Sequence, residues 1–112
     1  MPRWLGEVLK AVHRNARRGS VRVTYKALHE MAALEPSISP DEARQVLQGL
    51  DRASFRHRLR SIRSAEWLYV FRATWCGEAV YIKILLRAEC TIISFHPEAS
   101  DDELEETTDI SG

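Results

Sequence analysis

Cysteine is scarce in this 112-residue chain, and the two present, Cys76 and Cys90, show no CxxC spacing. This argues against a disulfide framework and a cysteine-rich metal site, and both residues are expected as reduced thiols. No apolar run approaches the roughly 20 residues a helix needs to cross a bilayer. The opening stretch, MPRWLGEVLKAVHRNARRGS, scatters charges through its apolar residues, so it does not read as a signal peptide. A glycine-rich phosphate loop, an HExxH pair and a G-x-S-x-G elbow are also missing. The expectation is a cytoplasmic protein that engages no membrane and needs no metal or cofactor.

Net charge is absent as well, with sixteen basic and sixteen acidic residues, but only in the sum. Seven of the acids lie in residues 98–112, which hold no basic residue, leaving sixteen basic against nine acidic side chains in residues 1–97. The body is therefore basic, which fits a polyanionic partner such as nucleic acid and also serves plain solubility. The acidic segment has no aromatic residue and few large apolar ones. It cannot offset chain entropy by burial and is expected to be disordered, giving one domain over 1–97 and a tail over 98–112.

The densest positive charge is RASFRHRLRSIR, residues 52–63, with five arginines, one histidine and no acid. Ahead of it, Trp4, Leu5, Val8, Leu9 and Val12 recur at helical spacing, predicting a helix over 4–17 that ends near Gly19. Val21 and Val23 suit a short strand, and Thr24 suits the cap of a second helix reaching about Leu34. Ser39, Pro40 and Glu42 form an S-x-x-E capping box that opens a third helix to about residue 50.

The period then changes to two. Ala53, Phe55, His57 and Leu59 alternate with Ser54, Arg56, Arg58 and Arg60, which predicts a strand with His57 on one face and the arginines on the other. Further strands are expected over 67–75, 79–86 and 90–96. The fold expected is α+β, with three N-terminal helices packed on one face of an antiparallel meander.

On the uncovered face this arrangement gathers Arg72, Tyr81, Lys83, Ser94 and His96, joined by His57 if its strand is adjacent. In the last strand, Thr91, Ile93 and Phe95 are expected on the opposite side. Such a group contains what metal-free RNA cleavage needs. A base takes the ribose 2′-hydroxyl proton, cations meet the charge developing on phosphate, and an acid protonates the departing 5′-oxygen. Histidine, with an unperturbed pKa of about 6.5, suits either proton-transfer role. Arginine and lysine hold phosphate, and a tyrosine hydroxyl supplies a hydrogen bond. The plainer alternatives are a hydrogen-bonded structural histidine, a rim tyrosine, and an arginine row that keeps an edge strand from pairing with other sheets. Trp75 fits either a base-stacking or a packing role; His13 and His29 fall on helices as surface or packing residues.

Over residues 5–97 the sequence resembles the MqsR family of messenger-RNA interferase toxins. The residues that carry the likeness are Phe55, Trp67, Val70, Arg72, Gly77, the block Val80 to Ile84 (VYIKI), the ISF of Ile93 to Phe95, and RRGSVRVTYKAL at 17–28. The resemblance implies a RelE-like fold with a curved sheet, ribosome-independent cleavage of single-stranded mRNA, and neutralisation by a cognate antitoxin. Carried over by position, it implies a site at His57, Leu68, Tyr81 and His96. The family tyrosine is kept as Tyr81, two family lysines are replaced by His57 and His96, and a family glutamine by Leu68. The reading is thus an endoribonuclease with His57, Tyr81 and His96 catalytic and Arg72, Lys83, Arg56 and Arg58 binding RNA. The alternative is a catalytically inactive relative that binds RNA or protein.

Overall fold

The computed structural model describes residues 2–98 and the backbone of 107–109. Helix α1, Arg3–Arg18, buries Leu5, Val8, Leu9, Val12 and Ala16 along one stripe. It stops at Gly19, whose φ of 76° is the left-handed conformation that only glycine adopts without steric cost. After the short strand β1, Val21–Val23, helix α2 spans Tyr25–Ala32 with the Thr24 hydroxyl accepting from the Ala27 N–H. Helix α3, Pro40–Gln48, starts on the expected box. Ser39 accepts from the Glu42 N–H while Glu42 accepts from the Ser39 N–H. A single turn of 3-10 helix at Arg52–Ser54 replaces the expected start of the first long strand.

Four strands follow: β2, Phe55–Ser61; β3, Trp67–Trp75; β4, Glu78–Leu86; and β5, Cys90–Pro97. They form the expected antiparallel meander, with one addition that the sequence reading lacked. Strand β1 pairs parallel with β5, Val21 opposite Cys90 and Val23 opposite Ile92. The five strands make a mixed sheet in the order β1-β5-β4-β3-β2, and Thr107–Asp109 (β6) lies antiparallel beyond β2. The expected disorder of the acidic tail otherwise concerns residues outside the described ones.

The helices cover one face. Phe71, Val80, Ile82, Ile84, Cys90, Ile92 and Phe95 meet the apolar stripes of α1, α2 and α3 there in one continuous core. Leu59, Leu68, Val70 and Leu85 form a smaller cluster on the other face, with Tyr81 and Ile93 packed against it. Trp75 belongs to the packing: its indole N–H donates to the Pro36 carbonyl at 2.7 Å and its ring lies against the main core. His13 likewise bonds the Leu50 carbonyl at 2.7 Å, tying α1 to the end of α3.

Beyond the reach of β1, the outer edge of β5 has no partner strand among the described residues, and α2 satisfies it instead. The Glu30 carboxylate accepts from the Phe95 N–H at 2.9 Å and from the Ser94 hydroxyl at 3.1 Å, and pairs with the Lys26 ammonium at 2.9 Å. Burial pushes the Glu30 carboxyl up, but the Phe95 N–H, Lys26 and Ser94 together outweigh it and hold the group below its ordinary value. A carboxylate with a depressed folded pKa stabilises the protein above its unfolded pKa, about 4.3, and loses that contribution as pH falls through the folded value. Glu30→Gln is therefore expected to cost about 1–2 kcal/mol at pH 7, with the gap to the parent closing below about pH 4. Urea unfolding at pH 7 and pH 3.5 checks this; an equal deficit at both values contradicts it.

Candidate functional site

Pairing of β3, β4 and β5 puts Arg72 opposite Tyr81 and Tyr81 opposite His96, one cross-strand row on the face away from the main core. The next row along the strands contains Val70, Lys83 and Ser94, with His57 of β2 opposite Val70. Arg72, Tyr81, Lys83, His96 and His57 therefore share a face, as the alternation predicted. Strands lie about 4.8 Å apart and residues rise about 3.3 Å each, so three strand intervals and an offset of two residues place the His57 and His96 backbones about 16 Å from one another, with Arg72, Tyr81 and Lys83 between them.

Two irregularities change the expected facing. The β2–β3 register shifts between Phe55 and His57, leaving Arg56 as an extra residue. Phe55 remains opposite Phe71 and packs on the main core, edge-on to the rings of Trp4 and Phe71. His57 and Leu59 stand on the other face. The expectation that Phe55, His57 and Leu59 point together is thus corrected, because a bulge lets one strand change faces between neighbours. The bulge also separates the arginines. Arg56 comes close enough to the site for its charge to act on Glu98. Arg58 and Arg60, opposite Tyr69 and Trp67, lie on the helix side.

There Arg58 is stacked between two indoles, its guanidinium carbon 4.2 Å from the Trp4 ring centre and 3.8 Å from that of Trp67. Arg60 lies 4.1 Å from the Trp67 ring centre and donates to the Ala65 carbonyl at 2.6 Å. Arg58 Nε is buried without a hydrogen-bond partner among the described residues, an arrangement that the stacking on both sides helps offset. Arg58 and Arg56 therefore do not meet at one surface.

The second shift lies in β5, between the pairs Lys83–Ser94 and Ile84–Ile92, leaving Ile93 extra. Ile93 and Thr91 consequently share the site face with Ser94, and Phe95 alone of the expected trio enters the main core. Over Leu68, Leu85 and Ile93 lies a shallow pocket of about 250 Å³, rimmed by Thr24, Lys26, Ser61, Arg63 and Ser64.

His96 is 3% exposed, and its ring stands edge-on to Tyr81 with 6.2 Å between centres. Its Nδ1 lies 2.9 Å from the Pro97 carbonyl oxygen. A carbonyl can only accept, so Nδ1 carries the hydrogen, and in the neutral ring Nε2 is the basic nitrogen. Lys83 is 4% exposed and Ser94 wholly buried, the latter engaged by Glu30 and Lys26.

One group at the site escaped the sequence reading. Glu98, just past the end of β5, accepts from Arg72 Nε at 3.3 Å, from Arg72 Nη2 at 3.5 Å and from the Tyr81 hydroxyl at 3.2 Å. Above all the Arg72 guanidinium, with the Tyr81 hydroxyl and the charge of Arg56 adding to it, holds the Glu98 carboxyl below the ordinary range. Glu98 had been assigned to the acidic tail by composition. Its strand parity, two residues after His96, was the signal that places it on the site face.

Among the described residues no group of histidines, cysteines and carboxylates is arranged to hold a metal ion, and no helix is long and apolar enough to cross a membrane. Cys76 is exposed at the β3–β4 turn, while burial pushes the Cys90 thiol up to about 12. A disulfide-exchange reagent at pH 8 is expected to titrate one thiol in the folded protein and two in denaturant. Two rapidly reacting thiols without denaturant would contradict the burial of Cys90.

The family model described as motility quorum-sensing regulator, toxin of MqsA, matches residues 7–97. No curated protein matches the chain.

Proposed function

The chain belongs to the MqsR toxin family, and on that premise we propose that it is a metal-independent endoribonuclease acting on single-stranded mRNA, the toxin half of a pair whose other half is an antitoxin protein. The observation that carries this reading is the row Arg72–Tyr81–His96, three side chains in cross-strand register on the face the helices leave uncovered. In the reaction, His96 Nε2 removes the proton from the ribose 2′-hydroxyl, which attacks the adjacent phosphorus and expels the 5′-oxygen. Arg72 and Tyr81 hold the phosphate, with Arg56 and Lys83 adding positive charge as negative charge builds on the non-bridging oxygens. The leaving 5′-oxygen takes its proton from water; His57, three strands across and one row along from His96, is too far away to serve the same phosphate and instead meets a neighbouring nucleotide. The products are a 2′,3′-cyclic phosphate and a free 5′-hydroxyl. The pocket over Leu68, Leu85 and Ile93 offers a neighbouring base an apolar floor. Arg58 takes no part in phosphate binding in this scheme; it secures the β2 edge against α1. A RelE-like fold and a cytoplasmic setting belong to the same proposal.

The second reading, a relative that binds RNA or protein without cutting, is favoured by Leu68. This residue is 6% exposed, sits at the end of the site and can make no hydrogen bond with its side chain. Incubating the purified protein with mixed-sequence RNA in EDTA decides between them. New ends bearing cyclic phosphate are the expected result; intact RNA with a gel shift favours the binding module. For the enzyme, His96→Ala is expected to slow cleavage by about 100-fold or more, whereas His57→Ala is expected to weaken RNA binding and leave the rate at saturating RNA close to that of the parent. A His57→Ala protein that binds RNA as the parent does removes His57 from the site, and a His96→Ala protein that cuts at the parent rate removes the mechanism.

A further inference from the structure

The cradle formed by Arg72, Tyr81 and Arg56 is already filled. Both guanidinium nitrogens of Arg72 that face Glu98, Nε and Nη2, donate to its two carboxylate oxygens, and the Tyr81 hydroxyl donates to Oε2. A carboxylate in such a fork matches the geometry that a phosphodiester presents through its two non-bridging oxygens: planar donors, paired acceptors and one negative charge. Glu98 is the first residue after β5, and its N–H is anchored to the Ala79 carbonyl at 2.9 Å, so its backbone is fixed at the end of the Arg72–Tyr81–His96 row. Its side chain is 45% exposed, as is fitting for a group that swings out to make room.

We infer that Glu98 is an internal stand-in for the RNA phosphate, occupying the Arg72–Tyr81 cradle in the resting protein and being displaced when a phosphodiester binds. The inference rests on the reading of this face as an RNA site and adds a competitor to it. A site whose open form is only a fraction of the population binds its ligand more weakly by that fraction. Exposed arginine–carboxylate pairs are modest in strength, so the effect on affinity is modest too. The carboxylate is a weak candidate for the base in the reaction, because two arginines and a phenol all favour its ionised, unprotonated form.

The test uses a short single-stranded 2′-deoxyoligonucleotide, which offers phosphodiesters but lacks the hydroxyl that cleavage requires. Its dissociation constant is measured for the full chain, for Glu98→Gln, and for Glu7→Gln, which makes the same charge change on the exposed face of α1. Glu98→Gln keeps the shape of the side chain and removes its charge, and is expected to bind about 5-fold more tightly than the parent. Glu7→Gln is expected to bind within about 2-fold of the parent at 0.15 M salt. In an Arg72→Ala background, Glu98→Gln is expected to add less than about 2-fold, because the main donor for which carboxylate and phosphate compete is gone. Equal tightening by both glutamine variants would make the effect one of net charge and overturn the inference. So would unchanged or weaker binding by Glu98→Gln, and so would a gain that survives Arg72→Ala. A Glu98→Gln protein that binds as the parent does but cuts RNA far more slowly would make Glu98 part of the chemistry and overturn it as well. Failure of the parent to cut RNA at all, by contrast, removes the proposed enzyme and leaves the binding comparison standing.

Discussion

The register of the β3–β4 hairpin decides which side chains meet at the site. The two strands are joined by Cys76 and Gly77 alone, both at positive φ, 50° and 85°, with Trp75 paired to Glu78 on either side. Two consecutive left-handed residues give the turn whose twist matches that of the strands it joins, and such a turn admits one pairing. From it, Arg72 falls opposite Tyr81, and every second residue of both strands is committed to the helix-covered face. A slip of β4 by one residue against β3 would send Ile82 toward solvent and Lys83 into the main core. The row that carries the functional reading is therefore held by the same constraint that holds the core, with no separate device.

Within that frame the two bulges change direction where regular alternation would not. In β2, a strict period of two would place Phe55 and His57 together, burying the imidazole under α1 or exposing the phenyl ring. The extra residue at Arg56 lets Phe55 complete an aromatic cluster with Trp4 and Phe71 while His57 joins the site. In β5, the extra residue at Ile93 keeps Ile92 and Phe95 in the main core and Ser94 and His96 on the other face. In both strands the bulge lets residues at odd spacing share a face, which alternation alone does not allow.

Much of this was legible in the sequence because the signals are local. The stripe from Leu5 to Val12, the Ser39 box and the aromatic run at 67–75 each carry their own structure within a few residues. Strand parity alone put Arg72, Tyr81, Lys83 and His96 on one face. What could not be read depends on distant pairing. Nothing within Val21–Val23 says that it will lie parallel to Cys90–Ile92, and nothing in residues 55–57 marks the skipped partner except that Phe55 and His57 want different surroundings. The spacing of Ile92 and Phe95 was a usable hint of the second bulge, since two apolar residues three apart cannot enter the same core from one strictly alternating strand. Glu98 was hidden by its neighbours. Its acidic company suggested solvated tail, whereas its position opposite the end of β4 makes it part of the sheet's last row.

The pairing of β1 with β5 has a consequence for how the protein comes into being. Residues 21–23 leave the ribosome early and residues 90–92 late, and the sheet positions next to β1 stay empty until then. The three helices likewise lack most of the apolar surface they cover until β3, β4 and β5 exist, so a nascent chain can neither close its core nor assemble the row on the opposite face. For a member of a toxin family, the order of synthesis thus delays completion of the sheet, and with it the row on its uncovered face, until translation has passed β5.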